Sequence, residues 1–558
     1  MKTFYYKYFL FFVCSGLWSQ NEVEWIPPLD IPFALSGTFG EPRGTHFHLG
    51  LDIKTQGKEG WEVKSIAQGQ ISRIRVSLGG YGKVVYVDHP DQTTSVYAHL
   101  KKFAPKIEAY IKSIQYQKES YTIQEFTKAN ELTLEAGELI GYSGNTGGSS
   151  GPHLHFEIRD TKSQKPFNPL LFDLPIKDSQ RPQLQKLYLF YPRENHLLSH
   201  SEAVELHKIN DSTYTTPMVL TSGKIGLGLQ MFDRQDLSYN KNGIYKAQLQ
   251  INGKTIAHYE FDQLDYSDSK KLFHIIDYPS FQENRIKIQK LFFQDQPLLT
   301  FIKSVKQGGL FHIELGKSYQ LMISVQDFFG NTSYIEMYIE GTEKSITHQP
   351  LEGKDITPEK DHLLLMEKAE IYFPKKTFFK KVKLQIEENK KSLSIGPNLF
   401  PFQMPYEIRF KAHTDDSLEL KQSFIAKKTD EKLSYLPTTL KEGYWITQLK
   451  DMGEYTLARD TIAPQVVAVN FKPEQWLSKF KFLNLKISDD FSGVKSYKGS
   501  INGQWVLFEY EPKKDLLTYD FSDKTFDQAK HQLRLEVEDN AGNTTIYETV
   551  FFKKYTLD

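Results

Sequence analysis

Residues 48–52 read His-Leu-Gly-Leu-Asp and residues 153–155 read His-Leu-His, and these two short segments decide the fold and its chemistry. The side chains of a β-strand alternate between its two faces, so His48 and Asp52, four apart, are expected to point the same way. The same alternation places His153 and His155 on one face. Three of these four side chains would give zinc the imidazole and carboxylate donors that it prefers, with a fourth position left for water.

The rest of the chain has the composition of a mainly β protein. Aromatic residues make up 14% of it, and aromatic residues favour strands. Short β runs bounded by glycine turns predict strands at residues 63–67, 69–74 and 83–87. After Pro105, isoleucines recur at helical spacing, which predicts one inserted helix before the strands resume near Glu138.

Length and charge limit the possible functions. A chain of 558 residues is too long for one hydrophobic core, so several domains are expected. Its 69 basic and 69 acidic residues balance, which argues against a nucleic-acid partner.

The first 20 residues are typical of an export signal. Lys2 and Lys7 precede a short apolar stretch at residues 9–17, and the alternative interpretation is a buried N-terminal strand. The stretch is too short for a membrane span, and no other hydrophobic run reaches that length, so no transmembrane span is expected in the mature chain. Cys14, the single cysteine, lies inside the stretch. Without it, only histidines and carboxylates could hold a metal ion.

A faint repeat occurs in the C-terminal half. Residues 325–332 and 537–544 share the pattern Asp-x-x-Gly-Asn-Thr, which is suited to a turn between the last two strands of a β-sandwich. We expect these aspartates to cap turns rather than bind calcium, because EF-hand spacing is lacking.

A longer series of motifs runs from residue 36 to residue 170. In order, these motifs are Phe39-Gly40, Arg43, His48-x-Gly50-x-Asp52, the turn Gly80-Tyr81-Gly82, Tyr97-Ala98-His99-Leu100, Gly141-x-Ser143-Gly144-Asn145-Thr146-Gly147 and Gly151-Pro152-His153-Leu154-His155-Phe156-Glu157. Together they resemble the lysostaphin/LytM-type zinc metallopeptidases, which cut peptide cross-links in bacterial cell walls. The resemblance covers about a quarter of the chain, and the longer segment after His99 is similar to Bacteroidota-like versions with C-terminal β-sandwich domains.

The resemblance implies one zinc ion per chain, held by His48, Asp52 and His155. It implies that His99 and His153 are catalytic histidines beside the zinc and not ligands. Zinc lowers the pKa of bound water to about 7 and polarises a carbonyl group. One of the two histidines would take a proton and the other would stabilise the oxyanion, and the sequence does not assign which.

Three nearby residues have two interpretations each. Glu157 either supports His155 or pairs with Arg159 at a strand edge. Arg43 either lines the substrate groove or pairs with a carboxylate. His46 is expected near the ligands or along the cleft, because only His48 stands four residues before Asp52.

The predicted organisation has five parts. They are a signal peptide at 1–20, an antiparallel-sheet LytM-type metallopeptidase domain with one inserted helical segment at 21–178, an immunoglobulin-like β domain at 179–345, a β domain of uncertain type at 346–460 and an immunoglobulin-like β domain at 461–558. The resemblance implies a periplasmic or secreted peptidoglycan endopeptidase. The alternative is a catalytically silent LytM-fold protein that binds the wall or activates an amidase, and the segment at 101–135 has the length to cover the cleft.

A third interpretation is an adhesion or scaffold protein in which the C-terminal β domains act and the first domain anchors them to the wall. In every interpretation, those β domains have the character of binding modules. We therefore expect them to hold the protein at a surface or to contact an unidentified protein partner.

Overall fold

A computed structural model describes residues 25–192, 199–269, 271–293, 299–346 and 352–554. Strands account for 48% of the chain and helices for 8%, which confirms a mainly β fold. The predicted signal peptide lies outside the described residues. In the described ranges, no helix combines the length and the apolar character needed to cross a membrane. We call residues 25–178 the first region, 179–345 the second, 346–460 the third and 461–554 the last.

The first region contains two sheets and one α-helix. Its elements are β1 (Leu35–Gly37), β2 (Leu51–Lys54), β3 (Glu62–Lys64), β4 (Gly69–Val76), β5 (Lys83–Asp88), β6 (Thr93–Leu100), β7 (Lys102–Phe103), α1 (Pro105–Lys118), β8 (Ile123–Phe126), β9 (Thr133–Leu134), β10 (Leu139–Tyr142), β11 (His153–Asp160) and β12 (Pro166–Phe167). A 3-10 turn follows at Pro169–Phe172.

The larger sheet has the order β1-β2-β11-β6-β5-β4-β8, and β9 and β12 pair at its sides. Strand β11 is therefore central and lies between β2 and β6, with antiparallel pairing on both sides. The smaller sheet has the order β3-β10-β7. The two His-containing segments, 100 residues apart in the sequence, thus come together through direct strand pairing.

Helix α1 begins with Pro105 in its first turn, where the missing N–H of proline costs nothing. Ile107 and Ile111 are buried against the sheet, as the helical spacing predicts. Glu108 accepts a hydrogen bond from the backbone N–H of Phe103, which ties the helix to β7. The predicted inserted helix is therefore confirmed, and the chain after it rejoins the large sheet as β8.

The other regions are built from pairs of sheets. The strands of the second region are Gln183–Tyr191, His200–Val204, His207–Lys208, Thr213–Thr215, Val219–Thr221, Gly223–Gln235, Ser238–Asn242, Lys246–Ile251, Lys254–Glu260, Gln289–Lys290, Ile302–Val305, Phe311–Ile313, Ser318–Gln326 and Thr332–Gly341. Its helical segments are Tyr266–Ser269, Leu272–His274, Tyr278–Asn284 and Gln307–Gly309.

The third and last regions also consist mainly of β-strands. Those of the third are Lys354–Ile356, His362–Leu365, Ala369–Phe373, Val382–Glu388, Leu393–Gly396, Tyr406–Lys411, Ser423–Thr429, Lys432–Tyr435, Thr439–Lys441, Tyr444–Leu449 and Gly453–Arg459, with a helix at Ser417–Gln422. Those of the last are Gln465–Ala468, Phe482–Ser488, Val494–Ile501, Gln504–Trp505, Phe508–Glu511, Leu516–Asp520, Lys530–Asp539 and Thr544–Phe552, with a 3-10 turn at Pro512–Lys514. The immunoglobulin-like assignment of the second and last regions stays a prediction.

The first region shares an apolar core with the second. Phe39, Phe47 and Leu49 are buried in the same cluster as the core of the second region, not in that of the large sheet. The ring of Phe47 lies 5.4 Å from that of Phe301 and 6.1 Å from that of Phe261. The segment that leads into His48 is therefore held from outside its own region.

The first region meets the last region through polar contacts. Lys83 Nζ lies 2.8 Å from Glu509 Oε2, and Lys112 forms an ion pair with Asp523. Lys513 donates hydrogen bonds to Asn145. A cleft of about 420 Å³ remains between these contacts and is lined largely by charged side chains.

Candidate metal centre

Strand pairing brings Asp52 and His155 together. The two residues are directly opposite each other in the antiparallel pair of β2 and β11. His48 does not lie on β2, which begins at Leu51, so the expectation that His48 and Asp52 share a strand face is wrong. His48 instead reaches the site from the preceding loop, which is anchored by the buried rings described above.

Three donor atoms converge at this point. His155 Nδ1 lies 2.8 Å from Asp52 Oδ1 and 3.0 Å from His48 Nε2, and His48 Nε2 lies 3.0 Å from Asp52 Oδ1. Ligand atoms on a tetrahedral zinc ion with bonds of about 2 Å are about 3.3 Å apart, so these distances need to open by only a few tenths of an ångström. The three residues are all buried, and the donor set fits a zinc ion.

In both candidate histidine ligands, the ring nitrogen that faces away from the centre donates a hydrogen bond to a nearby acceptor. His48 Nδ1 donates to the backbone carbonyl of Thr38 at 2.9 Å, and His155 Nε2 donates to Glu157 Oε1 at 2.7 Å. These bonds hold both rings with the opposite nitrogen directed inward. His48 would therefore bind a metal through Nε2 and His155 through Nδ1.

Asp52 is ionised and oriented by its neighbours. Burial raises the pKa of Asp52, but the charge of His48 and hydrogen bonds from the histidines outweigh burial and hold that pKa well below its usual value. Arg43 Nη2 donates to Asp52 Oδ2 at 2.7 Å, which leaves Oδ1 for the centre. Both interpretations of Arg43 hold, because it pairs with this carboxylate and also lines the cleft.

Glu157 connects the centre to the core, because it supports His155 and also pairs with Arg159, although it does so from the central strand β11 and not from a strand edge. Its Oε2 accepts from Arg159 Nε at 2.7 Å, while Oε1 accepts from His155. Tyr81 also donates a hydrogen bond to Oε1, and its ring stacks on His155 with centroids 5.2 Å apart. Sequence reasoning missed Tyr81 and treated its glycine-rich segment only as a turn. A single aromatic residue among glycines was the available signal.

His99 and His153 lie beside the three donors, with ring centroids 4.8 Å apart. His99 Nδ1 donates to the carbonyl of Thr146 at 2.8 Å, and His153 Nδ1 donates to the carbonyl of Gly151 at 2.8 Å. Burial, and then the neighbouring histidines, lower the pKa of His99 to about 3, so this ring is neutral at physiological pH. The backbone of His99 is left-handed, with φ of 59°.

Two glycines permit the close approaches around the site. A Cβ on Gly50 would collide with the backbone carbonyl of Phe156 on β11, so glycine lets the His48 loop lie against that strand. Gly147, with φ of 71°, packs against the backbone of Gly82, and a Cβ there would collide with it. The carbonyl of the preceding residue, Thr146, is thereby held for His99.

The five side chains open into a cleft of about 900 Å³. His46 lines it, as expected, together with Tyr81 and residues 148–151. Asn240 and Tyr266 of the second region form part of the wall. Among the described residues, none from 101–135 lines this cleft; that segment instead contacts the last region, where the ring of Tyr116 lies 5.3 Å from that of Trp505.

The fold and these side chains define a class of protein, a β-sheet domain with a His-Asp-His metal centre in an open cleft. Comparison with known proteins gives the family. The profile of peptidase family M23 matches residues 46–116 and 115–169, and that of a Zu5-like domain matches residues 356–460. Residues 46–169 therefore match peptidase family M23, and the expected resemblance to LytM-type zinc metallopeptidases is confirmed.

Similar proteins match mainly this part of the chain. The DD-carboxypeptidase/endopeptidase Mpg of Neisseria meningitidis serogroup B is 31% identical over 131 residues, which is 24% of each chain. A metalloprotease of Haemophilus influenzae is 31% identical over 128 residues, 23% of this chain and 21% of its own length. The lysostaphin catalytic domain of Staphylococcus simulans has 27% identity and a TM-score of 0.19, and the match covers 24% of this chain and 87% of that domain. The chain spans about a quarter of the length of the first two relatives.

Proposed function

We propose that this protein is an exported zinc metallopeptidase that hydrolyses amide bonds in the peptide stems or cross-links of peptidoglycan. One observation carries the proposal. Three inward-facing donor atoms, on His48, Asp52 and His155, meet within 3.0 Å of one another on the floor of an open cleft. Two further histidines stand beside them, and this arrangement supports hydrolysis rather than a purely structural metal site.

His48, Asp52 and His155 would hold the zinc ion. When bound, zinc supplies Lewis acidity that lowers the pKa of water and polarises a carbonyl group. The carbonyl of Thr38 and the carboxylate of Glu157 keep the two ligand rings in the required orientation.

His99 and His153 would carry the proton steps. Each donates its Nδ1 proton to a backbone carbonyl, so each has Nε2 available for chemistry. One Nε2 would accept the proton of the attacking water while the other ring stabilises charge on the carbonyl oxygen. Both rings are held at Nδ1 by loop carbonyls, and burial keeps the His99 ring neutral and able to accept a proton.

The cleft supports an extended peptide as the substrate. The glycine- and serine-rich segment 148–151 exposes backbone groups along one wall, and these groups can pair with a peptide main chain. In a Gram-negative wall, we propose the bond between D-alanine and the diaminopimelate of the neighbouring stem. The name of the Neisseria relative, a DD-carboxypeptidase/endopeptidase, supports this type of bond. The periplasm or cell exterior is the matching location.

The alternative function, a silent LytM-fold protein, fits the molecule less well. A protein that only binds the wall has no need for buried donors with oriented outer nitrogens. Here all five side chains are present, and Arg43, Glu157 and Tyr81 support them. The zinc content of the purified protein separates the two functions, because a folded protein that never retains zinc would favour the silent binder.

The test uses purified protein and cross-linked muropeptide dimers. Zinc-loaded protein is expected to convert dimers to monomers, a chelator to stop the conversion, and added zinc to restore it. The matched control is Glu125→Gln, which changes a carboxylate of β8 that pairs with Lys118 outside the centre and should cleave like the parent protein. Failure of the zinc-loaded protein to cleave any stem-peptide amide would contradict the proposal.

A further inference from the structure

A second cluster of carboxylates lies where the second region meets the first. Asp178, Asp233 and Asp327 each direct a carboxylate oxygen to one point, with those atoms within 4.8 Å of one another. Asp233 and Asp327 are buried, and Asp178 is half-buried. They border a cavity of about 30 Å³, which is enough for one small ion and too little for an organic ligand.

An unpartnered amide oxygen faces the same cavity. Asn242 is 3% exposed and lies opposite Asp233 in the antiparallel pair of Gly223–Gln235 and Ser238–Asn242. Its Oδ1 has no hydrogen-bond partner, and neither has Oδ1 of Asp233, which is 6% exposed. A buried polar atom without a partner is unfavourable and rare, so two together in one cavity point to a missing partner.

No basic side chain supplies that partner. Among the described residues, none of the three carboxylates forms an ion pair with lysine, arginine or histidine. Burial and mutual repulsion raise the pKa of Asp233 to about 9 and that of Asp178 to about 7. The unpartnered oxygens of Asp233 and Asn242 thus line one cavity, where a bound cation would remove the repulsion that raises these pKa values.

We propose that Asp178, Asp233, Asp327 and Asn242 form a calcium site. All four donors are oxygen atoms, which hard cations prefer, whereas zinc favours nitrogen and sulfur. Calcium is preferred to magnesium because four protein oxygens leave few positions for the waters that magnesium retains. This site is separate from the zinc centre and does not depend on the proposed peptidase activity.

The last region contains a similar aspartate cluster that lacks these features. Asp460, Asp489 and Asp539 also come together, and the same Asp-x-x-Gly-Asn turn follows Asp539. Their oxygens accept backbone N–H groups, including those of Ser492 and Asn543, and none is both buried and unpartnered. These aspartates cap turns, as expected, and Asp327 does so too by accepting from Asn331, but the proposed site departs from the expectation that turn capping replaces calcium binding. Only the second-region cluster also has free inward-facing oxygens.

A calcium ion here would stabilise the support of the zinc centre. The residue after Asn242, Gly243, exchanges hydrogen bonds with Thr38 Oγ1, and Gln235 Oε1 accepts from the backbone of Leu35. Thr38 in turn provides the carbonyl that orients His48. Calcium would therefore strengthen the junction between the two regions at a distance from the zinc.

The test compares the zinc-loaded, calcium-free full-length protein with and without millimolar calcium chloride. Calcium is expected to raise the melting temperature by several degrees and to give a saturable heat of binding in calorimetry. Asp233→Asn keeps the shape and removes one charge, and it should weaken calcium binding by about tenfold or more. In calcium-free buffer the same variant should be at least as stable as the parent, because it removes buried repulsion.

The matched control is Asp489→Asn in the last region, which should leave the calcium-dependent shift unchanged. A second variant, Asn242→Asp, should be less stable without calcium and show a larger shift with it. Three results would overturn the site: no calcium-dependent shift in the parent protein, equal loss of the shift in Asp233→Asn and Asp489→Asn, or an equal shift with magnesium.

Discussion

The first region is joined to its two neighbours in different ways. Its junction with the second region is built around an apolar core that contains Phe39, Phe47 and Leu49, with hydrogen bonds at its border. Its junction with the last region is polar and depends on contacts such as Lys83 with Glu509 and Lys513 with Asn145. Salt screens exposed contacts, such as those of Lys513, more strongly than the pair of the buried Lys83 with Glu509, and it has less effect on apolar burial.

Each junction supports a different half of the candidate centre. The apolar junction positions the His48 loop, and so the residues proposed to hold zinc. The polar junction contacts Asn145, which precedes Thr146, and the carbonyl of Thr146 orients His99. We infer that the shared apolar core fixes the position of the proposed zinc ligands. The flanking histidines are supported by polar contacts and can shift more easily.

The largest expected effects come from the two histidines of β11. His155→Ala should abolish both zinc binding and turnover, since it removes a ligand. His153→Ala should retain zinc and lower turnover by about 10²–10⁴-fold, the usual contribution of a general acid or base. Zinc content by mass spectrometry and dimer cleavage measure the two effects. If both variants lost zinc equally, the division into two halves would be wrong.

Next in size is the apolar junction. Phe47→Ala should lower the free energy of unfolding by about 3–5 kcal/mol and weaken zinc binding, because the His48 loop loses its anchor. Phe551→Ala, a fully buried residue in the core of the last region, should cost similar stability and leave zinc affinity unchanged. Denaturant unfolding and zinc competition measure both. Equal zinc loss in the two variants would show that general destabilisation, and not the junction, controls the metal site.

A smaller effect is expected for the carboxylate behind His155. Glu157→Gln should lower zinc affinity by about 10–100-fold, because the ring loses its charged acceptor. The matched control is Glu125→Gln, which changes a carboxylate of β8 that pairs with Lys118 far from the cleft. An unchanged zinc affinity in Glu157→Gln would show that Arg159 is the partner that matters for Glu157.

The same carboxylate predicts the pH dependence. Burial lowers the pKa of His155, but hydrogen bonds to Asp52 and Glu157 outweigh it and raise that pKa to about 9 in the metal-free protein. This proton stabilises the metal-free fold fully below the ordinary histidine pKa of about 6.5, and the stabilisation is lost as pH rises through 9. Zinc must displace the proton, so apparent zinc affinity should rise with pH up to about 9. A flat profile between pH 7 and 9 would contradict a protonated His155.

The smallest expected effect is at the polar junction. Lys513→Ala should change turnover by about two- to threefold and leave zinc affinity unchanged, since surface polar contacts contribute about 0–1 kcal/mol. Raised salt should produce a similar change in the parent protein and little change in the variant. A large loss of zinc in Lys513→Ala would remove the distinction between the junctions.

The sequence predicted the side chains of the candidate site better than it predicted the residues that hold those side chains in place. Motif order identified the five side chains that meet in the cleft, and isoleucine spacing identified α1. The position of His48 before β2 was not predictable, because it depends on Phe261 and Phe301, about 200 residues away. The local alternation of side chains along a strand does not indicate such long-range contacts. The role of Tyr81 was hidden for the same reason, since its partner Glu157 lies on another strand.

The left-handed backbone at His99 has a consequence for how this residue can be replaced. An ordinary side chain in that conformation costs about 1–2 kcal/mol, and asparagine tolerates it best after glycine. Alanine at position 99 would therefore remove the imidazole without relieving the backbone, whereas His99→Asn suits the local geometry. A histidine thus stands where the backbone alone would favour glycine or asparagine, so at this position the proposed catalytic role and the local backbone make opposing demands.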